Sequence, residues 1–221
     1  MTYTEYVRNY LGQQEHGSPI YTNKIADAMA DKYGINRKKA ASAAAVAVKR
    51  IMDKGMLPDL RCYQKGIYYR TAITPFGEMG INREKLIADK YLLHNSGYET
   101  GLRLLHHMGL TTQMPAERLL ATNAARDCVR YDSKLDVSIC PPKTPVNAQN
   151  KAYLQTLDAL DLLDKSPVDA KDPYMIIAQY IEHNVLQYER LLYYADRFYN
   201  QKTVIRLAHT ACRGEEKNET S

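Results

Sequence analysis

The chain has 221 residues, 45% apolar and 25% charged, with no Trp, 9 Pro and 11 Gly. That length suits one or two ordinary domains, and the composition excludes a disordered, collagen-like or low-complexity protein. No uncharged run approaches the ~18 apolar residues of a membrane helix, and the start, Met1-Thr-Tyr-Thr-Glu-Tyr-Val-Arg, has no apolar leader, so a soluble, cytoplasmic protein with no membrane partner is expected.

The formal charge of +5 is unevenly placed: residues 1–75 hold 12 Lys/Arg against 6 Asp/Glu, and the remainder 18 against 19. The excess positive charge therefore sits in the first third, which suggests an anionic partner for that segment, most simply nucleic acid. Tyr3, Tyr6, Val7, Tyr10 and Leu11 share one helical face and predict a short amphipathic helix. Gly12 to Pro19 breaks it. Ile20-Tyr21 suits a brief extended segment before Thr22 or Asn23 caps a second helix, about 23–33, which Gly34 stops.

Asn36 is placed to cap a third helix that runs to about Lys54. Ala40, Ala44, Ala47, Val48 and Ile51 cluster on one side of it, while Lys38, Lys39, Ser42, Lys49 and Arg50 fall on the other. Arg37-Lys38-Lys39 occupy its first turn, where the helix dipole disfavours cations, and a phosphate backbone is an adequate reason for them. Two β-prone runs, Leu60–Tyr63 and Ile67–Arg70, flank Gln64-Lys65-Gly66 as a hairpin. Three helices followed by a hairpin make a winged helix-turn-helix, whose third helix enters the major groove of double-stranded DNA. On that reading Lys39, Lys49, Arg50, Lys65 and Arg70 meet phosphates, while Arg37, Lys38 and Ser42 face base edges. The plainer alternative is a three-helix platform for protein contact, with its Lys and Arg simply solvated.

Thr71 to Asn82, with Pro75, Gly77 and Gly80, has linker composition. Arg83 to Leu93 reads as a helix. Asn95 or Ser96 then caps a helix from about Tyr98 to Met108, with Gly109 as its left-handed stop. Short strands are expected over Glu117–Thr122, Cys128–Tyr131 and Leu135–Cys140, followed by helices at about 147–164, 172–187 and 188–209. The fold class is therefore α+β and mainly helical: a winged helix-turn-helix followed by a domain of helices with a small β-sheet.

The run Gly97-Tyr98-x-Thr100-Gly101, Leu104-Leu105, Gly109-Leu110-Thr111-Thr112-Gln113-x-Pro115 and Thr122-Asn123 resembles the abortive-infection type antitoxin family of type IV toxin–antitoxin systems. The Gly66-Ile67-Tyr68 step is similar to that family's as well, and the likeness spans most of residues 20–165. The resemblance implies a winged-helix domain over 1–75 that binds operator DNA and represses its own operon. It also implies an antitoxin domain, over 83–213, while composition places a linker over 76–82 and a frayed tail over 214–221. The functional partner would be a nucleotidyltransferase-like toxin, opposed without a tight complex. The segment Leu110 to Pro115 suits a local cap and turn better than a contact site, because side-chain amides and hydroxyls commonly serve as caps and turn formers.

Other groupings look chemical and read as structural. The adjacent His106 and His107 diverge by about 100° on a helix and cannot chelate one metal together. Asp158, Asp161 and Asp164 read as the solvated acidic face of an amphipathic helix. Asp132 and Asp136 lack the Gly-Ser motif and D-x-D spacing of a nucleotidyltransferase, and no P-loop, G-x-G-x-x-G or G-x-S-x-G appears. Cys62, Cys128, Cys140 and Cys212 show no C-x-x-C and are expected as reduced thiols. No catalytic residue, cofactor or metal is therefore assigned. Tyr188, Tyr193, Tyr194 and Tyr199 either pack in the core or form an interface, and a homodimer on a palindromic operator would follow from the latter.

Overall fold

The protein is described here by a computed structural model, covering the backbone of residues 1–219 and the side chains of 1–213. The chain divides into two compact units, Met1–Leu86 and Ile87 onward. It is α+β and mainly helical.

The first unit opens with α1 (Tyr3–Gly12), held at its start by a capping box in which Thr2 and Glu5 satisfy each other's backbone N–H. A two-residue strand β1 (Ile20–Tyr21) leads directly into α2 (Thr22–Tyr33). Gly34, at φ +61°, terminates α2, because this left-handed conformation strains any residue with a Cβ. Then α3 (Arg37–Asp53) begins at Asn36, whose side chain accepts the Lys38 N–H at 2.8 Å. Strands β2 (Leu60–Gln64) and β3 (Ile67–Arg70) form an antiparallel hairpin with a bulge between Cys62 and Gln64. β1 pairs with the other edge of β3, giving the order β1-β3-β2. Val7, Leu11, Ile25, Met29, Ala44, Val48, Ile51 and Leu60 build the core beneath the three helices.

The segment read as a linker, 76–82, is tied into this unit. β4 (Ile73–Thr74) and β5 (Gly77–Glu78) form a second small hairpin. The Thr71 hydroxyl donates to the Met79 carbonyl at 2.8 Å, and the Asn82 N–H donates to the Gly17 carbonyl at 2.8 Å. The division between the units falls within the short helix α4 (Arg83–Ile87). A helical bulge over Ala88–Leu92 follows it.

The second unit holds β6 (Gly97–Thr100), α5 (Leu102–His107), β7 (Leu119–Thr122), β8 (Arg130–Asp132) and β9 (Val137–Cys140). Its four strands are ordered β6-β7-β9-β8, with a parallel pairing only between β7 and β9. Helices α6 (Lys151–Leu162), α7 (Pro173–His183), α8 (Tyr188–Phe198) and α9 (Gln201–Glu219) complete it. Leu105, Leu110, Leu157, Leu160, Ile177, Ile181 and Leu191 are the centre of its core.

Two expectations about this unit are corrected. The stretch from Tyr98 is a strand, and helix begins only at Leu102. A Cβ on Gly97 would lie 2.6 Å from the Tyr91 carbonyl and 2.8 Å from that of Ala121, so this position serves close strand pairing. Gly101, at φ +71° and ψ −154°, then turns the strand into α5. The long helix expected over 188–209 is two helices, broken where Tyr199 is extended and Asn200 caps α9 by accepting the Thr203 N–H at 3.0 Å. α9 continues through Glu219, into the region read as a tail; Thr220 and Ser221 lie outside the described residues.

Candidate functional site

α3 is helical because 6 of its 17 residues are Ala, the residue with the best intrinsic propensity. The small side chains Ala40, Ala44 and Ala47 are wholly or almost wholly buried beside Val48 and Ile51. On the opposite side Lys38, Lys39, Ser42, Val46, Lys49 and Arg50 are exposed. No ion pair reaches Lys38, Lys39 or Lys49 among the described residues, and the first turn carries no acidic residue. The outcome is a cationic face unneutralised by its own fold. Lys65 is exposed at the tip of the β2–β3 hairpin, where Gly66 at φ +86° makes the turn.

The remaining expected DNA contacts are engaged to different degrees. Arg37 forks onto Asp27 of α2, with Nε 2.7 Å from one carboxylate oxygen and an Nη 3.2 Å from the other, yet its side chain stays 72% exposed. Ser42 donates to the Lys38 carbonyl at 3.2 Å, and Arg50 reaches the Thr4 hydroxyl at 3.5 Å. Arg70 is a brace inside the first unit. Its Nε donates to Asp59 at 2.7 Å and one Nη donates to the carbonyls of Gly12 at 2.6 Å and Gln14 at 3.2 Å, with the side chain 17% exposed. Burial opposes ionisation of Asp59, but the Arg70 hydrogen bond and charge, with His16 behind them, hold its carboxyl below the ordinary value.

In the second unit the Gly-Tyr to Pro run divides between two places. Gly109, at φ +77°, ends α5, and Leu110 enters the core. Thr111 is buried, its hydroxyl accepting the Gln113 N–H at 3.2 Å. Thr112 grips Asp169 through its backbone N–H at 2.9 Å and its hydroxyl at 2.5 Å, while the Asp169 and Ala170 N–H groups donate back to the Leu110 carbonyl. The Thr112 hydroxyl and then its N–H hold the Asp169 carboxyl below the ordinary value. Residues 110–112 are thus strapped to the loop before α7. Gln113 is exposed and Pro115 half-buried beyond the strap.

Tyr98, Thr100 and Gly101 lie elsewhere, around Asp158. The Thr100 hydroxyl donates to one Asp158 carboxylate oxygen at 2.8 Å and the Tyr199 hydroxyl donates to the other at 2.7 Å. Tyr98 is 1% exposed, and its hydroxyl closes no hydrogen bond of good geometry. Burial pushes the Asp158 carboxyl above its ordinary value, over the lowering effect of these hydroxyls and Lys143. Burial, then the Asp158 charge, raises the Tyr98 and Tyr199 hydroxyls too. A cavity of about 360 Å³ opens beside them, lined by Asp158, Thr100, Gly101, Leu119, Cys140 and Pro142 among others. Burial pushes the Cys140 thiol up to about 11, so it is protonated at neutral pH.

The expected solvated acidic face of α6 is therefore corrected. Asp158 is enclosed, Asp161 accepts from Lys165, Asn200 and Thr203, and Asp164 pairs with Arg206 of α9 at 2.6 Å. A sequence signal existed: at 100° per residue Asp158 and Asp161 share the stripe of the buried Leu154 and Leu157. Among the described residues, no group of three or more His, Cys, Asp or Glu could hold a metal ion, and no helix is long and apolar enough to cross a membrane. His107 meets Glu99 at 3.2 Å, and Arg118 lies 2.8 Å from the same carboxylate. No protein-family model matches the chain, and no curated protein matches it either.

Proposed function

We propose that this chain is a cytoplasmic antitoxin of a type IV, abortive-infection toxin–antitoxin system. On this reading its first unit is a winged helix-turn-helix that binds double-stranded operator DNA and represses the chain's own operon. The order α1-β1-α2-α3-β2-β3 and the three-stranded sheet support the winged-helix reading. The observation that carries DNA binding is the outward face of α3, where Lys38, Lys39 and Lys49 stand exposed without a carboxylate partner. Ser42 lies among them, and Arg37 is held beside them by Asp27. Arg70 is left out of the DNA-contacting set because its donors are spent inside the unit.

The antitoxin part rests on the resemblance of the Gly97–Pro115 run, whose segment 110–112 is held by Asp169. The partner it implies is a nucleotidyltransferase-like toxin, and the role requires no catalysis by this chain. Band-shift titration of the full chain on its own promoter fragment, at several salt concentrations and against random DNA, tests the first part. Affinity no greater than for random DNA overturns the repressor reading. Coexpression with the adjacent open reading frame tests the second: a neighbour that does not slow growth overturns it.

A second reading, a protein-contact module, is favoured by one observation. Leu192, Tyr193 and Ile205 on α8 and α9 are each about half exposed, and Leu192 lines an apolar groove of about 300 Å³. Stable co-purification of a partner that is lost on Leu192→Asp would support it.

A further inference from the structure

We propose that the cavity of the second unit binds a small organic cation, one that presents amidinium- or guanidinium-type N–H donors to Asp158 on a flat apolar body. The inference is independent of the DNA reading, because every residue in it lies beyond Ile87. Its first support is shape. A space of about 360 Å³ falls within the range of small-molecule sites, which are mostly apolar with a few convergent polar groups. Leu119, Ala121, Val129, Pro141, Pro142 and Leu162 supply apolar walls. Thr100 and Asp158 supply the polar end.

The second support is the state of Asp158. Its carboxylate receives one hydroxyl on each oxygen, from Thr100 and Tyr199, and forms no ion pair with Lys, Arg or His among the described residues. A carboxylate has about four lone-pair sites, so acceptor capacity remains on both oxygens, and the side chain keeps some exposure on the cavity wall. A buried carboxylate without a cation is costly. A bound cation with two parallel N–H donors removes that cost through the strongest common geometry, the bidentate pair.

The third support is selection by charge. Asp127, Asp158 and Asp161 line the cavity against Lys143, whose ammonium lies 5.9 Å from the centre of the Tyr199 ring. Asp161 is already matched by Lys165 at 2.7 Å. When a bound cation holds Asp158 in its ionised form, Asp127 and Asp158 stand against Lys143, so the charge facing the ligand is negative and disfavours carboxylates and phosphates.

The test uses three isosteric probes on the full chain: benzamidine, benzamide and benzoate, titrated calorimetrically and by thermal unfolding. Benzamidine should bind saturably and raise the unfolding temperature, while benzamide binds about tenfold or more weakly, the worth of a charge-assisted pair, and benzoate does not bind. Asp158→Asn should remove benzamidine binding with the circular dichroism spectrum unchanged. Should that variant not fold, the ranking of the three probes on the unaltered chain decides alone. Equal binding of benzamide, preference for benzoate, absence of saturable benzamidine binding, or unaltered binding by a folded Asp158→Asn variant each overturns the proposal.

Discussion

Replacing Arg70 by Met separates a structural role from a DNA-contacting one, because the two predict losses in different measurements. The guanidinium makes two short charged hydrogen bonds, to Asp59 at 2.7 Å and to the Gly12 carbonyl at 2.6 Å, and a weaker one to Gln14 at 3.2 Å. Hydrogen bonds to charged groups contribute about 1.5–3 kcal/mol each. With side-chain exposures of 17% for Arg70 and 26% for Asp59, the lower end applies to the two short bonds. Arg70→Met should therefore destabilise the first unit by about 3 kcal/mol, on the order of a hundredfold in its opening equilibrium. Hydrogen–deuterium exchange on the full chain reads this as correspondingly faster exchange in α1, α2 and α3, with the second unit unaffected. The deficit should shrink in acid. The Asp59 carboxyl is held below its ordinary value of 3.8, so the stability it lends is present above that value and is lost as pH falls through the depressed one. Unchanged exchange together with abolished DNA binding would refute the brace and restore Arg70 to the DNA-contacting set.

Changing Lys38, Lys39 and Lys49 together to Ala should leave the unfolding temperature within a few degrees while weakening DNA binding. The slope of log affinity against log salt should fall by about 0.9 for each phosphate that the variant no longer neutralises; an unchanged slope counts against phosphate binding by this face. Asp27→Asn releases Arg37 from a surface pair that contributes at most about 1 kcal/mol, so band shifts should show equal or tighter DNA binding, and a marked loss would make the pair part of the reading geometry. Asp158→Asn should alter the pH dependence of stability in the second unit. Because the folded carboxyl titrates above 3.8, the folded chain holds a proton that the unfolded chain has released, and stability falls as pH rises through that window. Tyr98 and Cys140 from the sheet, Tyr199 after α8, and Lys143 face this group. The difference between the two proteins in denaturant titrations should grow as pH rises above the ordinary carboxyl value of 3.8, and a flat difference would contradict a raised Asp158. Gly97→Ala forces a methyl to within 2.6 Å of the Tyr91 carbonyl, so a loss of about 1–3 kcal/mol or more is expected, and a neutral substitution would refute the close approach.

The first three helices were legible because their apolar residues recur with one period and their ends carry Asn36 and Gly34 as local signals. β4 and β5 were not legible, since Pro75 and Gly77 serve a tight hairpin as readily as a linker and each strand has only two residues. β6 was hidden for a different reason. Asn95 and Ser96 suit a helix start, and only the partner strand β7, whose residues pair at separations of 19 to 25 in sequence, decides against it. The break at Tyr199-Asn200 has no Pro or Gly to announce it, yet it places the Tyr199 hydroxyl on Asp158. Of the candidate sites, the α3 face was readable from periodicity. The Asp158 cluster joins β6, α6 and the segment after α8, and no local pattern links these.

The two faces of α3 also answer differently to change. On the inner face Ala40, Ala44 and Ala47 meet their neighbours with at most 2% exposure, so a side chain larger than Ala has no room there. On the outer face the side chains of Lys38, Lys39, Val46 and Lys49 are exposed and outside the core. Outer positions can therefore drift, or be randomised together in a library, while nearly every member still folds. If a DNA site is what this helix reads, its preference can be rewritten without renegotiating the scaffold, which is how paralogues sharing one architecture would come to ignore each other's promoters.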